Sequence, residues 1–320
     1  MRTVVTRSPA EAAAFIRRGE LVAFPTETVY GLGADAFDAT AVAKIFEAKQ
    51  RPPDNPLIVH VASVDGVRTV ARSVPPAAEA LISAFFPGPL TIVLPRRPEI
   101  PDIVTAGLDT VGVRMPRHPV ALALLEACGR PLCAPSANRS GRPSPTHWRA
   151  VLDDLDGRIA CVLAGDSTEI GVESTVVDAT GDEVLLLRAG GLPVETLRRV
   201  VPVRVDGEAS ALLAGRSPGM RYRHYAPRAR VVPAATAAGV QASPNAAFIG
   251  LHAPDHPGTF GKSIVLPDVE AYARELFAFF RACDEAGIDT IVCELPPPLG
   301  LGRALRDRIE RAARAASLPG

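Results

Sequence analysis

From Ser8 to Val201 the hydrophobic period of the chain switches repeatedly between that of a helix and that of a strand. This alternation restricts the fold more than any other feature, because it demands helices packed on a sheet. Ser8-Pro9-Ala10-Glu11 reads as a capping box with proline at the first helical position, and Gly19 stops that helix. Leu21–Phe24 follows as a strand. A second helix starts at Asp38 or Thr40 and carries the stripe Val42, Ile45 and Phe46. Further strands are expected over 57–61, 90–94, 111–114, 132–134, 159–163, 175–178 and 184–188. Helices are expected over 75–86, 119–128 (stopped by Gly129), from a Thr146 cap to Leu155, and over 193–201. The strands are joined by long Pro/Gly turns as well as helices, so the expected sheet is mixed and twisted rather than purely parallel.

The 320 residues suit two domains, and 47% hydrophobic with 22% charged residues fits a globular, soluble chain. The formal net charge is zero, so no global field draws the protein to nucleic acid or an anionic membrane, and any anion site must come from local clustering. Cys128, Cys133, Cys161, Cys283 and Cys293 form no CxxC pair, and buried free thiols in a reducing cytoplasm are the expectation. No secretory signal core follows the N-terminus, and the apolar window Ala77–Leu94 is broken by Glu79, Pro87, Gly88 and Pro89, so neither export nor a membrane span is expected.

Composition changes after Val203. Ser217 to Pro227 (SPGMRYRHYAP) is basic, aromatic and bounded by prolines, unlike a Gly/Ser linker, and suggests a strap docked on the protein. Strands over 246–250, 263–265 and 290–293 then alternate with helices over 269–283 and 301–315. This reads as a smaller Rossmann-like α/β layer with no G-x-G-x-x-G after any strand.

Polar residues of interest sit at strand ends and in the turns after them, where open α/β sheets build sites. Lys49-Gln50-Arg51 offers a point charge and a five-donor fork beside the rigid turn Pro52-Pro53-Asp54-Asn55-Pro56. Ser136-Ala137-Asn138 offers short hydrogen-bonding groups in an exposed loop. Together they would hold a triphosphate without a P-loop, and both pairs look exposed. A solvated helix end also explains Lys49. His60, on an apolar strand, reads equally as a core histidine, and Arg114 as a surface ion pair. Thr26 and Thr28 share one face if the chain stays extended, with Gly31 and Gly33 allowing a sharp turn or close approach. No catalytic Ser-His-Asp set, H-E-x-x-H, Walker A or kinase signature is legible.

Phe24-Pro25-Thr26-Glu27-Thr28-Val29-Tyr30-Gly31-Leu32-Gly33, Lys49-x-Arg51, Gly112-Val113-Arg114-Met115-Pro116, Pro135-Ser136-Ala137-Asn138 and Gly171-Val172-Glu173-Ser174-Thr175 resemble the YrdC/Sua5 threonylcarbamoyl-AMP synthases. The strap and the second α/β unit resemble the longer Sua5 branch. The resemblance implies a YrdC-like catalytic domain with a twisted mixed sheet and open cleft over 1–203, a strap over 204–230 and a Sua5-type domain over 231–320. It implies condensation of L-threonine, bicarbonate or CO2, and ATP into threonylcarbamoyl-AMP and pyrophosphate, feeding t6A modification of tRNA adenosine 37 in the cytoplasm. Mg2+ would arrive with ATP. Downstream threonylcarbamoyl-transfer proteins are implied partners, and tRNA is a candidate one. Lys49, Arg51, Ser136 and Asn138 match the family's catalytic set around ATP, with Asn55, Thr110, Ser144, Arg188 and Tyr225 as further nucleotide contacts. Thr28, His60, Arg114 and Ser174 fall where threonine is held, Arg114 facing its carboxylate. Thr26 stands beside Thr28, and His224 with Tyr225 would cover the site. The competing readings are a double-stranded-RNA-binding module, which the neutral charge disfavours, and a carbamoyl-transfer or hydrogenase-maturation role, which would need acylphosphatase or zinc-finger-like segments that the cysteine spacing does not supply.

Overall fold

The computed structural model describes residues 2–205 and 225–315. An eleven-stranded mixed sheet occupies the first part. Its strands in chain order are β1 (Val4–Thr6), β2 (Val22–Phe24), β3 (Gly31–Asp35), β4 (Ile58–His60), β5 (Leu90–Pro95), β6 (Thr110–Arg114), β7 (Leu132–Cys133), β8 (Cys161–Leu163), β9 (Thr175–Asp178), β10 (Val184–Arg188) and β11 (Val203–Arg204). They lie in the order β1-β8-β2-β3-β7-β4-β6-β5-β9-β10-β11, with parallel pairs such as β4/β6 and β5/β9 beside antiparallel pairs such as β2/β3 and β5/β6. A second sheet is wholly parallel: β12 (Arg230–Ala234), β13 (Ala246–Gly250), β14 (Lys262–Val265) and β15 (Thr290–Glu294), in the order β12-β15-β13-β14.

Local chemistry fixes the helices that matter for the cleft. Ser8 caps the first helix by accepting from the Glu11 amide, but the Glu11 carboxylate takes the Thr6 hydroxyl instead of closing the box. Asp38, not Thr40, caps Ala39–Lys49 by accepting from the Thr40 and Ala41 amides. That helix ends at Gln50 in the left-handed region (φ 53°), which turns Arg51 back toward the sheet. His147 rather than Thr146 caps Trp148–Leu155, its ring accepting from the Arg149 amide. The helix expected over 193–201 is confined to Val194–Leu197.

Sequence periodicity missed β1, β3, β11 and β12. β3 was obscured by its glycines, yet it is a central strand paired with β2 and β7. A Cβ on Gly33 would lie 2.9 Å from the Phe24 ring, so the glycine makes room for an aromatic on the facing strand rather than making a turn. All five cysteines are buried free thiols. Among the described residues no helix is long and apolar enough to cross a membrane.

The two sheets share packing. Val29 and Val172, from loops of the first part, belong to the same buried cluster as Tyr272, Leu276, Phe277 and Phe280 of the helix Val269–Glu285. Arg281 on that helix forms a buried ion pair with Asp154 (2.8 Å) and donates to the Pro143 carbonyl. Gly171 (φ +82°) lies against the backbone of the same helix, where a Cβ would come within 2.2 Å of the Ala273 carbonyl oxygen. Gly171→Ala combines a strained backbone with this clash and is expected to destabilise the protein by at least about 2 kcal/mol. Thermal unfolding would read the loss, and early proteolysis near residue 171 would report undocking.

Candidate active site

A cleft opens where the loops after β2 and β7 and the turn after the helix Ala39–Lys49 meet the ends of β4, β6 and β10 and the loop before β9. Thr26, Thr28, Arg51, His60, Arg114, Ser136, Glu173, Ser174, Arg188 and Tyr225 line it. The parallel register of β4 and β6 puts His60 directly beside Arg114.

At one end, Arg114 is held by three groups. Its Nη1 donates to Thr28 Oγ1 (2.9 Å), its Nε to the Gly88 carbonyl (3.3 Å), and its Nη2 pairs with Glu27 Oε1 (2.8 Å). Both partners of that ion pair are buried. Burial, the largest single influence, raises the Glu27 carboxyl, but the Arg114 charge and the hydrogen-bond donors around the carboxylate together outweigh it and leave the group below the usual carboxylate range. Arg114 therefore does not wait unpaired for a substrate carboxylate, and Glu27 was the partner that sequence reading overlooked. Thr26 donates to the Val29 carbonyl (2.7 Å), which leaves the Thr28 hydroxyl to donate across the 2.8 Å Thr26–Thr28 contact.

His60 is packed edge-on to Phe24. Burial, with the Arg114 charge added, pushes its imidazole down to about 3, so it stays neutral near pH 7. The folded value lies below the ordinary 6.5, so between these limits the unfolded chain binds the extra proton and stability falls as pH drops. His60→Asn is expected to flatten the acid side of the stability profile by up to about 1.4 kcal/mol per pH unit between roughly pH 6 and 4. Urea unfolding at stepped pH measures this slope.

The second stretch is built from the helix end and the loop after β7. Ser136 bridges to Gly31, fixing that loop to β3. Lys49 Nζ donates to the carbonyl oxygens of Ser136 (2.6 Å) and Asn138. Lys49 and Arg51 are 1% and 8% exposed, which corrects the expectation that both stand in solvent. Burial, reinforced by the Arg51 charge, pushes the Lys49 amine well below the usual lysine range. Arg51 reaches the Asn55 and Pro56 carbonyls (3.2 and 3.3 Å), so the Pro-rich turn wraps around its guanidinium. The Asn138 amide nitrogen donates to Arg139 and Arg142 carbonyls, while its Oδ1 and the Asn55 Nδ2 are buried with no protein partner. A buried polar atom left so costs about 1–3 kcal/mol, and neither residue lines the cleft.

At the third side, Ser174 Oγ contacts Thr91 Oγ1 (2.8 Å) and accepts from Arg188 Nη2 (3.1 Å). Ser144 is buried behind this wall and donates to Glu173 Oε1 (2.5 Å). Tyr225, in the left-handed region (φ 65°), stacks on Phe277 with centroids 5.6 Å apart. Thr110 lies elsewhere: it pairs with Pro95 at the far end of β6, four residues from Arg114, or about 13 Å along an extended strand. It does not line the cleft. His224 lies outside the described residues.

The cleft thus gathers basic forks and hydroxyls from distant stretches, a pattern suited to a small zwitterion beside a polyphosphate. A family model spanning Sua5, YciO and YrdC, described as "Telomere recombination", matches residues 14–190. A second, for the threonylcarbamoyl-AMP synthase C-terminal domain, matches residues 192–314. This chain belongs to the Sua5 family. The threonylcarbamoyl-AMP synthase of Pyrococcus abyssi is 45% identical over 94% of this chain and 93% of its own length. That of Bacillus subtilis is 43% identical over 95% of this chain and 92% of its own length. The crystal structure of P. abyssi Sua5 complexed with L-threonine superposes with a TM-score of 0.88 at 42% identity, covering 98% of this chain and 97% of that one. The match runs through both sheets, so the two-sheet plan of this chain is that of Sua5 as a whole.

Proposed function

We infer that this chain is a threonylcarbamoyl-AMP synthase, joining L-threonine, bicarbonate or CO2, and ATP with release of pyrophosphate. The observation that carries the inference is the meeting of Arg51, Ser136, Arg188, Arg114 and Thr28 in one cleft, in a chain that matches a threonine-complexed Sua5 over nearly its whole length. In the reaction the neutral threonine amine attacks CO2, and a carbamate oxygen then attacks the α-phosphorus and displaces pyrophosphate. Neither step needs a covalent enzyme nucleophile. Both need reactants held in line and negative charge neutralised.

The residues divide along the cleft. The Arg114–Thr28–His60 side suits threonine: a guanidinium shared with Glu27 for its carboxylate, and a neutral imidazole beside it. The Arg51–Ser136–Arg188 side suits the phosphates, with Lys49 and Asn138 shaping the loop that receives them. Mg2+ is proposed to enter with ATP, where it would neutralise the departing pyrophosphate. The product is proposed to pass to threonylcarbamoyl-transfer proteins that modify adenosine 37 of tRNA, in the cytoplasm.

The deciding experiment follows pyrophosphate release and identifies the nucleotide product by mass spectrometry with isotopically labelled bicarbonate and threonine. The expected product carries both labels. Release that proceeds without threonine or without bicarbonate would refute this function.

A further inference from the structure

Among the described residues that line the cleft there are three guanidinium groups, from Arg51, Arg114 and Arg188, and one carboxylate, Glu173. A carboxylate in a polyanion site works against its ligand unless something cancels its charge. Arg188 offsets part of this charge, but the cation paired directly with Glu173 comes from the second domain. Arg308, on the helix Leu301–Ala315, is fully buried and places Nε 2.7 Å from Glu173 Oε2. Its Nη2 donates to the Ala189 carbonyl (3.0 Å), next to Arg188, and its Nη1 pairs with Asp307. Its guanidinium carbon lies 4.9 Å from the centroid of the Tyr225 ring. The other Glu173 oxygen is taken by Ser144. One arginine of the second domain therefore fixes both an acidic wall residue and an aromatic one.

We propose that Arg308 is a positioning residue that acts through Glu173, neutralising it so that the cleft wall does not repel a nucleotide polyphosphate. The second domain, on this view, completes the nucleotide side of the cleft. The proposal rests on a nucleotide being the cleft's anionic ligand.

A binding cycle on the full-length chain tests it, with MgATP and L-threonine titrated calorimetrically and thermal unfolding recorded in parallel. Arg308→Gln is expected to weaken ATP binding at least tenfold and threonine binding less than threefold. Glu173→Gln/Arg308→Gln removes both charges and is expected to return ATP affinity to within threefold of wild type. If Arg308→Gln alone does not fold, Glu173→Gln and the double variant decide: the first must bind ATP at least as tightly as wild type, the second within threefold of it. A double variant that binds ATP tenfold more weakly than wild type, or equal weakening of both ligands in Arg308→Gln, would overturn the proposal and leave Arg308 as packing. Wild-type protein that binds threonine but not ATP would overturn this inference and the assigned reaction together, whereas wild-type binding with an unaffected Arg308→Gln would overturn this inference alone.

Discussion

Arg114→Ala is expected to abolish threonine-dependent pyrophosphate release and to lower the unfolding free energy by about 3–5 kcal/mol. Both effects follow from one arrangement. The Glu27 carboxylate is buried against Arg114 at 2.8 Å, and removing the guanidinium leaves an uncompensated charge in a dry site. It also releases Thr28 and the loop it anchors, because Arg114 Nη1 is a hydrogen-bond donor to that hydroxyl. Two variants separate the contributions. Glu27→Gln/Arg114→Met removes both charges and should recover most of the stability while remaining inactive. Arg114→Lys keeps a charge but not the fork that meets Thr28, Glu27 and Gly88 at once, so it should fold and lose at least about tenfold in kcat/KM for threonine. Urea unfolding and a pyrophosphate assay provide the two readings. An active Arg114→Ala protein would remove Arg114 from the threonine side of the cleft.

Lys49→Ala is expected to do two kinds of damage as well. The amine is donor to two loop carbonyls, at Ser136 and Asn138, in a position 1% exposed. Alanine leaves those oxygens without this donor, at about 1–3 kcal/mol each, so a loss of roughly 2–6 kcal/mol in stability is expected. The loop that carries Ser136 would then no longer be held to the helix end, and a loss of activity on the order of 10²-fold should accompany it. Activity lost at unchanged stability would instead mean that Lys49 acts on the ligand alone. Arg51→Ala makes a useful comparison. Arg51 lines the cleft as well as donating to the Asn55 and Pro56 carbonyls, so its removal should weaken ATP binding.

The mixed sheet was readable in sequence because most strands are short apolar runs flanked by Pro or Gly, and such runs have few alternatives. β3 was not, because Gly31 and Gly33 look like turn residues until Phe24 is known to lie across from them. The tight spots of the site are partnerships between positions far apart in the chain, which spacing does not encode. Glu27 with Arg114, Ser144 with Glu173 and Glu173 with Arg308 are separated by 29 residues or more in each case. The expectation that Lys49 and Arg51 are exposed failed for a related reason. A lysine at a helix C-terminus looks solvated until a loop some 87 residues later is found lying over it. Thr110, expected among the nucleotide contacts, instead opens β6 at the end away from Arg114 and does not line the cleft.

Val29 sits between Thr28 and Tyr30 of the cleft, and Val172 directly precedes Glu173, yet both are counted in the apolar interior of the other domain. The same few residues thus face substrate on one side and hold a neighbour's core on the other. A shortened chain ending near residue 205 would present these two valines to water beside its own reactive loops. Any single-domain enzyme carved from this scaffold would have to recolour positions 29 and 172 with polar side chains, and a graft of a foreign second domain would have to match them.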